Sequence, residues 1–450
     1  MSDAVLYRNT RWGVVGLGTT GLSCVRFLRQ HGYPVSVLDT RMQPPGMEEC
    51  SRLWPEVEIH RGPLTAEHLS QCDQLLVSPG VSVYEPALQE WKNERPGRQL
   101  VGDIELFAMH AKAPVVAITG SNAKSTVTTL VGEMAVASGL NTQIGGNLGK
   151  PALDLLDDRC ELYVLELSSF QLETTFSLKP EVATILNMSE DHLDRYASMA
   201  EYHAAKQRIY RHCHKIVFNR QDPLTQPLIH QEMLVQSFGK DEPDLGQWGL
   251  VQRDGDLWLC QGRDLWLNVR EMKIRGLHNS LNALAALALG TSVGLDKEAM
   301  LGVLRCFAGL EHRCKWIREH EGVRYYDDSK GTNVGATLAA LEGLGFEAPV
   351  VVILGGIGKG QNFRPLHAAL KQFARAVVLM GVDAPLIAAS VPEEVPSVFA
   401  STMSDAVAQA RQLAKSGDAV LLSPACSSFD MFRDYHDRGQ QFIQCVEDLQ

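Results

Sequence analysis

Apolar runs alternate with helical patterns along nearly the whole chain, and most of these runs end in Gly, Pro, Ser or an acid. Continuous apolar runs are typical of strands that are buried on both faces of a parallel sheet. The predicted strands are RWGVVGLG, PVSVLD, QLLVSPG, PVVAITG, LYVLEL, VATILN, KIVFN, VVVILGG, AVVLMG and AVLLSPA. Because helical patterns separate them, the sequence predicts an α/β protein with parallel sheets.

Two breaks divide this pattern into three units. A polar stretch with Pro and Gly covers 96–103, and a second break lies near FAGLEHRCK, after an alanine-rich helix at 281–289. The segment 247–273 is typical of antiparallel hairpins, and we assign it to the middle unit as an excursion. A length of 450 residues agrees with about three domains. The predicted domains cover residues 1–102, 103–310 and 311–450.

Composition and charge exclude several classes of protein. A hydrophobic content of 45% and a charged content of 21% are those of a soluble globular protein. The chain has no apolar run of about 18 residues, and its start lacks the pattern of a signal peptide, so we expect a cytoplasmic protein without membrane insertion. The net charge of −11 argues against nucleic acid as a partner. Ten cysteines without a C-x-x-C pair predict reduced, packed thiols.

The first unit carries a glycine-rich fingerprint in VVGLGTTGLSCVRFLRQHGYPVSVLD. Gly16, Gly18 and Gly21 let the backbone approach a diphosphate at the start of a helix. The pattern alone indicates NAD, FAD, UDP or another diphosphate ligand, and a tight turn that binds nothing is the alternative. Polar groups or turns at the same sheet edge are Asp39, Thr40, Arg41, Ser78, Pro79 and Gly80.

The middle unit contains AITGSNAKSTVTTL, a strand, a loop and a helix that resemble a phosphate-binding loop. The common loop is G-x-x-x-x-G-K-[ST], but here Ala123 precedes Lys124 and Ile118 stands where the earlier glycine belongs. Two further strands end beside this loop, because LYVLEL delivers Glu166 and VATILN leads into MSEDHLDRY. Carboxylates at such strand ends can hold Mg²⁺ against ATP phosphates. We expect a metal site formed by the set Glu166, Glu190, Asp191, His192 and Asp194; solvated charges or helix caps are the alternative.

Amides of the middle unit are further candidates. Asn147 lies in GGNLG, a Gly-flanked turn that could face the same cleft. Asn279 in HNSLNALAALALG could cap the alanine-rich helix, and either Asn279 or Asn282 could instead bind adenine.

The third unit places cationic and hydroxyl groups on turns that follow three strands. These turns are YYDDSKGTN, ILGGIGKGQNF and LLSPACSSFDMFRDY. Such groups suit a small dicarboxylate amino acid. The sequence has no G-x-S-x-G elbow, so we do not predict a covalent nucleophile.

A set of motifs in chain order resembles the Mur ligases. They are TGSNAKST, LELSSFQLE, NMSEDHLDRY, AAKQRIY, HNSLNALAALAL, EHR and DDSKGTN, and the similarity runs from near residue 11 to the C-terminus. The resemblance implies an N-terminal Rossmann-like domain, a central parallel-sheet domain that binds ATP, and a C-terminal Rossmann-like domain. The family loop is T-G-x-N-G-K-[ST], so the absent early glycine is normal and Ala123 is a departure. The first unit, followed by GDIELF, is most similar to members that add D-glutamate.

The resemblance also implies roles for individual residues. For ATP they are Gly120, Ser121, Asn122, Ala123, Lys124, Ser125, Thr126, Asn279, Asn282, Arg313 and Asp328. For the UDP-sugar they are Thr19, Thr20, Asp39, Thr40, Arg41, Gly80, Asn147 and His192. For D-glutamate they are Lys330, Thr332, Lys359, Ser428, Phe429 and Tyr435, although Phe429, Tyr435 and the neighbouring Gly331 differ from the family's usual Leu, Phe and Ala.

The metal and the catalytic groups follow from the same resemblance. The implied ligands of Mg²⁺, at two sites, are Ser125, Glu166, His192 and Lys206, the last as a carbamate. The implied catalytic residues are Lys124, His192 and Lys206. From the residues alone, Lys206 is a surface lysine on an amphipathic helix, and only the resemblance indicates otherwise.

The implied activity is an ATP-dependent ligation of D-glutamate to UDP-N-acetylmuramoyl-L-alanine through an acyl phosphate, a cytoplasmic step of peptidoglycan precursor synthesis. We expect a monomer whose third unit closes on the middle unit about residues 310–312. The alternatives are another amino-acid ligase of the superfamily (another Mur ligase or a folylpolyglutamate synthase), an NAD-dependent oxidoreductase built on the first unit, and a nucleotide sensor without turnover.

Overall fold

The structure is a computed structural model that describes residues 10–94, 97–228, 233–274 and 276–449. Three sheets follow one another along the chain. The predicted α/β architecture is confirmed, since nearly all strand pairs within these sheets are parallel. Pro96, where the first predicted break begins, lies outside the described residues.

The first sheet is fully parallel, with the strand order β3-β2-β1-β4-β5. The inner strands with the sequences WGVV and QLLV are apolar and mostly buried. The elements are β1 (Trp12–Val15), α1 (Thr19–Gln30), β2 (Val35–Asp39), α2 (Met47–Leu53), β3 (Glu58–Arg61), α3 (Ala66–Ser70), β4 (Gln74–Val77), α4 (Pro86–Asn93) and β5 (Leu100–Val101).

The middle sheet has nine strands in the order β14-β13-β12-β11-β10-β9-β6-β8-β7. Its helices are α5 (Asp103–His110), α6 (Lys124–Ala137), α7 (Ser169–Glu173), α8 (Met199–Gln207), α9 (Leu277–Ser292) and α10 (Lys297–Cys306). Its strands are β6 (Val115–Thr119), β7 (Thr142–Gly146), β8 (Leu162–Glu166), β9 (Val182–Ile185), β10 (Lys215–Asn219), β11 (Leu234–Phe238), β12 (Trp248–Arg253), β13 (Asp256–Gln261) and β14 (Asp264–Asn268). The predicted hairpins are confirmed as β12–β14, which pair antiparallel and extend the parallel sheet at its edge.

The third sheet has the order β15-β16-β20-β17-β18-β19, in which only the edge strand β15 is antiparallel to its neighbour. Its strands are β15 (Lys315–His320), β16 (Val323–Asp327), β17 (Val350–Gly355), β18 (Ala374–Met380), β19 (Ser397–Phe399) and β20 (Ala419–Leu422). Its helices are α11 (Val334–Gly345), α12 (Leu366–Phe373), α13 (Ala384–Ala388), α14 (Met403–Leu413) and α15 (Tyr435–Glu447). Asn333 caps α11 and Asp434 caps α15, each by accepting a backbone N–H.

Each predicted apolar run contains a strand of the structure, but several observed strands have no such run. The sequences of β3 (EIHR), β7 (TQIGG) and β15 (KWIREH) are polar or partly exposed, because these strands lie at sheet edges. The predicted cap at Asn279 is wrong. Helix α9 begins at Leu277 after Gly276, whose φ of 90° suits glycine, so Asn279 lies within the first turn.

Buried apolar side chains form one cluster that spans the first and middle sheets, from Trp12 to Ile216. Arg26 on α1 strengthens this contact by donating to both oxygens of Asp154 at 2.9 and 2.8 Å. The third sheet has its own apolar clusters, one on each face, and the buried members described for them all follow residue 320. Among the described helices, none is both long and apolar enough to span a membrane.

Candidate active site

Loops that follow carboxyl ends of strands in the middle and third sheets meet in one region. The loop after β6 leads into Lys124, the first residue of α6, and the loop after β9 carries Asp191. The turn after β16 brings Asn333 to both of these loops, where its amide donates to Asn122 at 3.0 Å and to Asp191 at 3.2 Å. Ligands of open α/β sheets bind at such edges.

The phosphate loop has the conformation that glycine prefers, although alanine occupies the position. Ala123 has φ 66° and ψ −2°, a left-handed geometry that strains a residue with a Cβ by about 1–2 kcal/mol. The loop therefore keeps the fold of the glycine version. Lys124 Nζ donates to the carbonyls of Gly120 and Ser121, both at 3.0 Å. Burial lowers the pKa of Lys124, although Glu166 and Asp191 oppose the shift.

Glu166 is the most constrained acid of the region. Its side chain lies at the end of β8, is only 3% exposed and accepts two hydrogen bonds of 2.6 Å, one from the Ser125 hydroxyl and one from the Asn147 amide. Arg313, which precedes β15, reaches across from the third unit and donates to Ser125 Oγ at 2.6 Å. Ser125, Glu166, Asn147 and Arg313 are thus brought together as the sequence predicted.

Lys206 is not the surface lysine that its helix pattern indicates. It is 1% exposed, and its Nζ donates to Thr119 Oγ1 at 3.2 Å and to the Gly120 carbonyl at 2.8 Å. The Tyr202 ring lies 4.9 Å from the same nitrogen. Burial, followed by the repulsion of Lys124, holds the pKa of Lys206 well below its usual value. The interpretation from the residues alone is therefore wrong, because α8 turns this side chain toward the phosphate loop.

The acidic side chains that follow β9 do not all point into one site. Glu190 and Asp194 are exposed, whereas Asp191 is buried and lies 3.4 Å from Lys359 Nζ. Burial alone would raise the pKa of Asp191, but His192 and Lys359 lower it. Burial lowers the pKa of His192 to about 4, so its imidazole is neutral at pH 7.

A metal site made of the acidic run is therefore contradicted. Within the described ranges, no three His, Cys, Asp or Glu side chains are grouped to hold a metal ion. The available hard donors are the Ser125 hydroxyl and the Glu166 carboxylate. This set fits Mg²⁺, which usually takes one or two carboxylates and completes its shell with phosphate oxygens and water.

A cavity of about 360 Å³ opens between the phosphate loop, α9 and α11. The predicted nucleotide residues among its lining are Asn122, Ala123, Thr126, Asn279, Asn282, Arg313 and Asp328. Both the middle and the third unit contribute walls, so the cavity exists only while the two units are in contact. Asp328 is buried, accepts from the Cys314 backbone and from the Ser423 hydroxyl, and has its pKa raised by burial to about 7.

A second cavity of about 570 Å³ lies at the fingerprint of the first unit. It contains the predicted residues Thr19, Thr20, Asp39, Thr40, Arg41, Gly80 and Asn147. The glycines serve different purposes: a Cβ at Gly21 would lie 1.9 Å from the Gly16 carbonyl, whereas one at Gly18 would meet nothing within 4 Å. Close packing thus requires Gly21, and Gly18 leaves space in the cavity.

Asp39 anchors the turn of this second cavity. Its carboxylate accepts from the Leu17 backbone at 2.7 Å and from the Arg41 guanidinium at 2.9 and 2.6 Å. A dinucleotide site would use this acid for a ribose 2′-hydroxyl. Here both carboxylate oxygens already hold the loop and Arg41, which disfavours the NAD interpretation.

The predicted D-glutamate residues lie on neighbouring turns, because β20 lies between β16 and β17. Lys330 and Thr332 follow β16, Lys359 follows β17, and Ser428 and Phe429 follow β20. The Lys330 ammonium lies 3.8 Å from the ring centre of Tyr435, the first residue of α15, and burial lowers the pKa of Lys330 to about 8. Phe429 is 71% exposed, so its side chain points away from the buried part of this region.

Sequence reasoning did not assign roles to two residues that join units. Asn333 lies in the quoted turn DDSKGTN, and its position before a predicted helix marks it as a cap but not as a contact to Asn122. Arg195 donates to the carbonyls of Pro79 and Val81 in the first unit. No local signal in MSEDHLDRY indicates a contact over more than 110 positions.

Family models match all three units. The model of the N-terminal domain of MurD-like Mur ligases matches residues 10–102, the Mur ligase middle domain matches 118–290, and the glutamate ligase domain of Mur ligases matches 312–426. The UDP-N-acetylmuramoylalanine–D-glutamate ligase of Pseudomonas aeruginosa is 56% identical over 97% of both chains. The ligase of the same name from Acinetobacter baylyi is 50% identical over 97% of this chain and 98% of its own.

Solved structures share the fold at low sequence identity. A pseudomurein peptide ligase type C from Methanothermus fervidus has a TM-score of 0.62 at 17% identity, covering 98% of this chain and 100% of that one. The UDP-N-acetylmuramate–alanine ligase of Thermotoga maritima has a TM-score of 0.60 at 20% identity, covering 98% and 99%. These likenesses concern the three-domain architecture alone.

Proposed function

The chain belongs to the Mur ligase family, and we propose that it joins D-glutamate to UDP-N-acetylmuramoyl-L-alanine with cleavage of ATP to ADP and phosphate. The 56% identity to a D-glutamate ligase along 97% of the chain favours this activity over another amino-acid ligase of the superfamily. The reaction is a step of peptidoglycan precursor synthesis. We assign it to a cytoplasmic monomer with domains 1–102, 103–310 and 311–450.

One observation carries the proposal. The phosphate loop, the buried Glu166 and the cationic turns of the third unit meet, and a separate cavity on the first unit opens beside Asn147. A ligase of this type needs a phosphoryl donor, an acceptor carboxylate and an amine in one place. The three units supply one binding surface for each.

In the first step, the alanine carboxylate of the nucleotide sugar attacks the γ-phosphorus of ATP, giving an acyl phosphate and ADP. Lys124 and Arg313 neutralise the charge on the transferring phosphoryl group, and Asn279 and Asn282 hold the adenine end. Thr19, Thr20, Thr40 and Arg41 hold the nucleotide sugar with its carboxylate near Asn147 and His192.

Mg²⁺ bound at this site would supply positive charge to the phosphate oxygens. Ser125 and Glu166 are the groups that would hold it, together with His192. We propose that the Lys206 amine adds CO₂ and releases a proton, giving a carbamate whose oxygens would be further ligands of the metal. Carbamylation requires a neutral amine, and the lowered pKa of Lys206 supports this.

In the second step, the amine of D-glutamate attacks the acyl carbon, and phosphate leaves from the tetrahedral intermediate as the amide forms. Lys330, Thr332, Lys359, Ser428 and Tyr435 hold the two carboxylates of the amino acid, with Phe429 at the rim. The attacking nitrogen must lose a proton. His192, which is neutral at pH 7 and lies 3.6 Å from Asp191, or a water molecule next to it would accept this proton.

The test is phosphate release from Mg-ATP in the presence of UDP-N-acetylmuramoyl-L-alanine. D-glutamate, L-glutamate, meso-diaminopimelate and no amino acid are compared, with Lys124→Met as the inactive control. We expect release with D-glutamate only. Release with another amino acid would keep the ligase chemistry and overturn the assignment of the third unit, and no release with any amino acid would overturn the proposed reaction.

A further inference from the structure

Arg195 occupies a largely buried position between the first and middle units. Its side chain is 11% exposed and pairs with Glu173, whose carboxylate lies at 2.9 Å and is 4% exposed. The guanidinium stacks over the Phe170 ring, 4.0 Å from its centre. A buried cation with a carboxylate and an aromatic face is held in one geometry.

The same guanidinium also donates hydrogen bonds to the first unit. Nη1 donates to the Pro79 carbonyl at 2.7 Å, and Nη2 donates to the Val81 carbonyl at 3.1 Å. Pro79, Gly80 and Val81 line the 570 Å³ cavity that the nucleotide sugar occupies in the proposed function. A single side chain of the middle unit thus binds two carbonyls of the turn that forms one wall of this cavity.

Arg195 also contacts the region around His192, where the proposed reaction takes place. The Phe170 ring meets the His192 imidazole edge to face, with centres 4.8 Å apart. The Arg195 backbone N–H donates to the His192 carbonyl at 3.0 Å, and this bond closes the turn in which His192 has φ 56°. Arg195 therefore contacts both the wall of the sugar cavity and the turn that carries His192.

We propose that Arg195 is a positioning residue for the nucleotide sugar, which fixes the 79–81 turn of the first unit relative to His192 of the middle unit. The substrate spans these two units, so its acceptor carboxylate reaches the phosphate loop only if their spacing is fixed. Arg195 sets this spacing without touching the ATP cavity. The inference rests on the proposed function for the identity of the sugar.

The test replaces Arg195 without leaving a buried charge. The double variant Arg195→Gln with Glu173→Gln removes both charges, and Arg195→Lys keeps the charge but cannot bridge two carbonyls and a carboxylate. The control is Arg26→Gln with Asp154→Asn, which removes a second ion pair between the same units, partly exposed and away from both cavities.

We expect the Arg195 variants to raise the KM for UDP-N-acetylmuramoyl-L-alanine about tenfold or more, while the KM for ATP changes by less than about twofold. The control pair should lower the melting temperature less, because its side chains are partly exposed, and should leave both KM values unchanged. An unchanged sugar KM in the Arg195 variants, or an equal rise in both KM values, would overturn the proposal.

Calorimetric binding of UDP-N-acetylmuramoyl-L-alanine, without ATP, separates this inference from the proposed function. Wild-type protein that binds the sugar but shows no D-glutamate-dependent turnover would defeat the proposed reaction. The weaker binding expected of Arg195→Lys would still support the positioning role, and equal binding would refute it.

Discussion

The first and middle units share one buried apolar cluster, whereas none of the described clusters joins the middle and third units, which are linked by polar side chains and by the contact of α9 with α11. Apolar residues of both sheets belong to a single buried cluster on one side of the middle sheet. On the other side, Asn122 and Asn333 exchange two amide hydrogen bonds of 3.1 and 3.0 Å, and Arg313 and Lys359 reach Ser125 and Asp191.

The difference shows which interface can open. Separating the first two units would expose apolar area at a cost of about 25 cal/mol for each Å². Polar contacts can be exchanged for bonds to water at a net cost of only about 1 kcal/mol each. Because the ATP cavity has walls from both the middle and the third unit, a nucleotide favours their contact and its release favours separation.

Truncating Phe27 tests the shared core and should have the largest effect. Phe27 on α1 is 6% exposed and meets His110 of α5 edge to face at 4.8 Å. We expect Phe27→Ala to lower the free energy of unfolding by about 3–5 kcal/mol, with the first two units still unfolding together in urea. Phe373→Ala, within the third unit, is the control, since it should destabilise that unit alone.

The stability of the third unit should depend on pH in a way that distinguishes it from the other two units. Burial raises the pKa of Asp328, in the third unit, to about 7. The folded state then binds a proton that the unfolded state, with a pKa of about 3.9, has released. Stability of the third unit should therefore be full below pH 4 and fall by on the order of 4 kcal/mol as the pH rises to about 7.

Urea unfolding of wild-type and Asp328→Asn protein between pH 4.5 and 7.5, roughly the window of this titration, measures this effect. The asparagine variant should have a shallower slope, to which the buried Asp103, with its pKa raised by burial to about 6, still contributes. Parallel slopes for the two proteins would show that Asp328 is not responsible. The difference in stability between the two proteins should come from the third unit and not from the core that the other two units share.

Removing a cation from the polar interface should affect catalysis more than stability. Arg313→Ala deletes the 2.6 Å contact with Ser125 and one positive charge beside the phosphates. We expect kcat/KM for ATP to fall by about 10- to 100-fold, while thermal unfolding of the first two units stays unchanged. A variant with wild-type kinetics would mean that Arg313 does not contact ATP in the working enzyme.

The smallest effect is expected at Ala123, next to the polar interface. Ala123→Gly relieves a left-handed φ of 66° but adds freedom to the unfolded chain, so stability should change by less than about 1 kcal/mol. The KM for ATP should change only modestly, because the loop already has the glycine geometry. A loss of most activity would contradict this.

The sequence predicted the sheets and the phosphate loop well, because these depend on local patterns. Apolar runs marked the buried strands, and the strand ends placed Glu166 next to Ser125. The metal site predicted from the acidic run after β9 was wrong. The charges in the sequence do not distinguish the buried Asp191 from the exposed Glu190 and Asp194.

Contacts between units could not be predicted in the same way. The burial of Lys206 depends on how α8 packs against the end of β6, and the helix pattern alone indicated a surface position. Arg195 contacts carbonyl groups, and a backbone acceptor leaves no trace in the identity of its residue. The left-handed Ala123 likewise required the structure, since the sequence allowed either conformation.

The shared core also has a consequence for synthesis on the ribosome. The first unit emerges before its apolar face can be covered, since some of the side chains in the common cluster lie as late as Ile216. At about 5–20 residues per second, the nascent first unit waits for several seconds with that face exposed. The third unit, with cores of its own, can fold as soon as it is released. We expect chaperones to bind nascent chains that end between the first and middle units. They should no longer bind nascent chains that already include the whole middle unit.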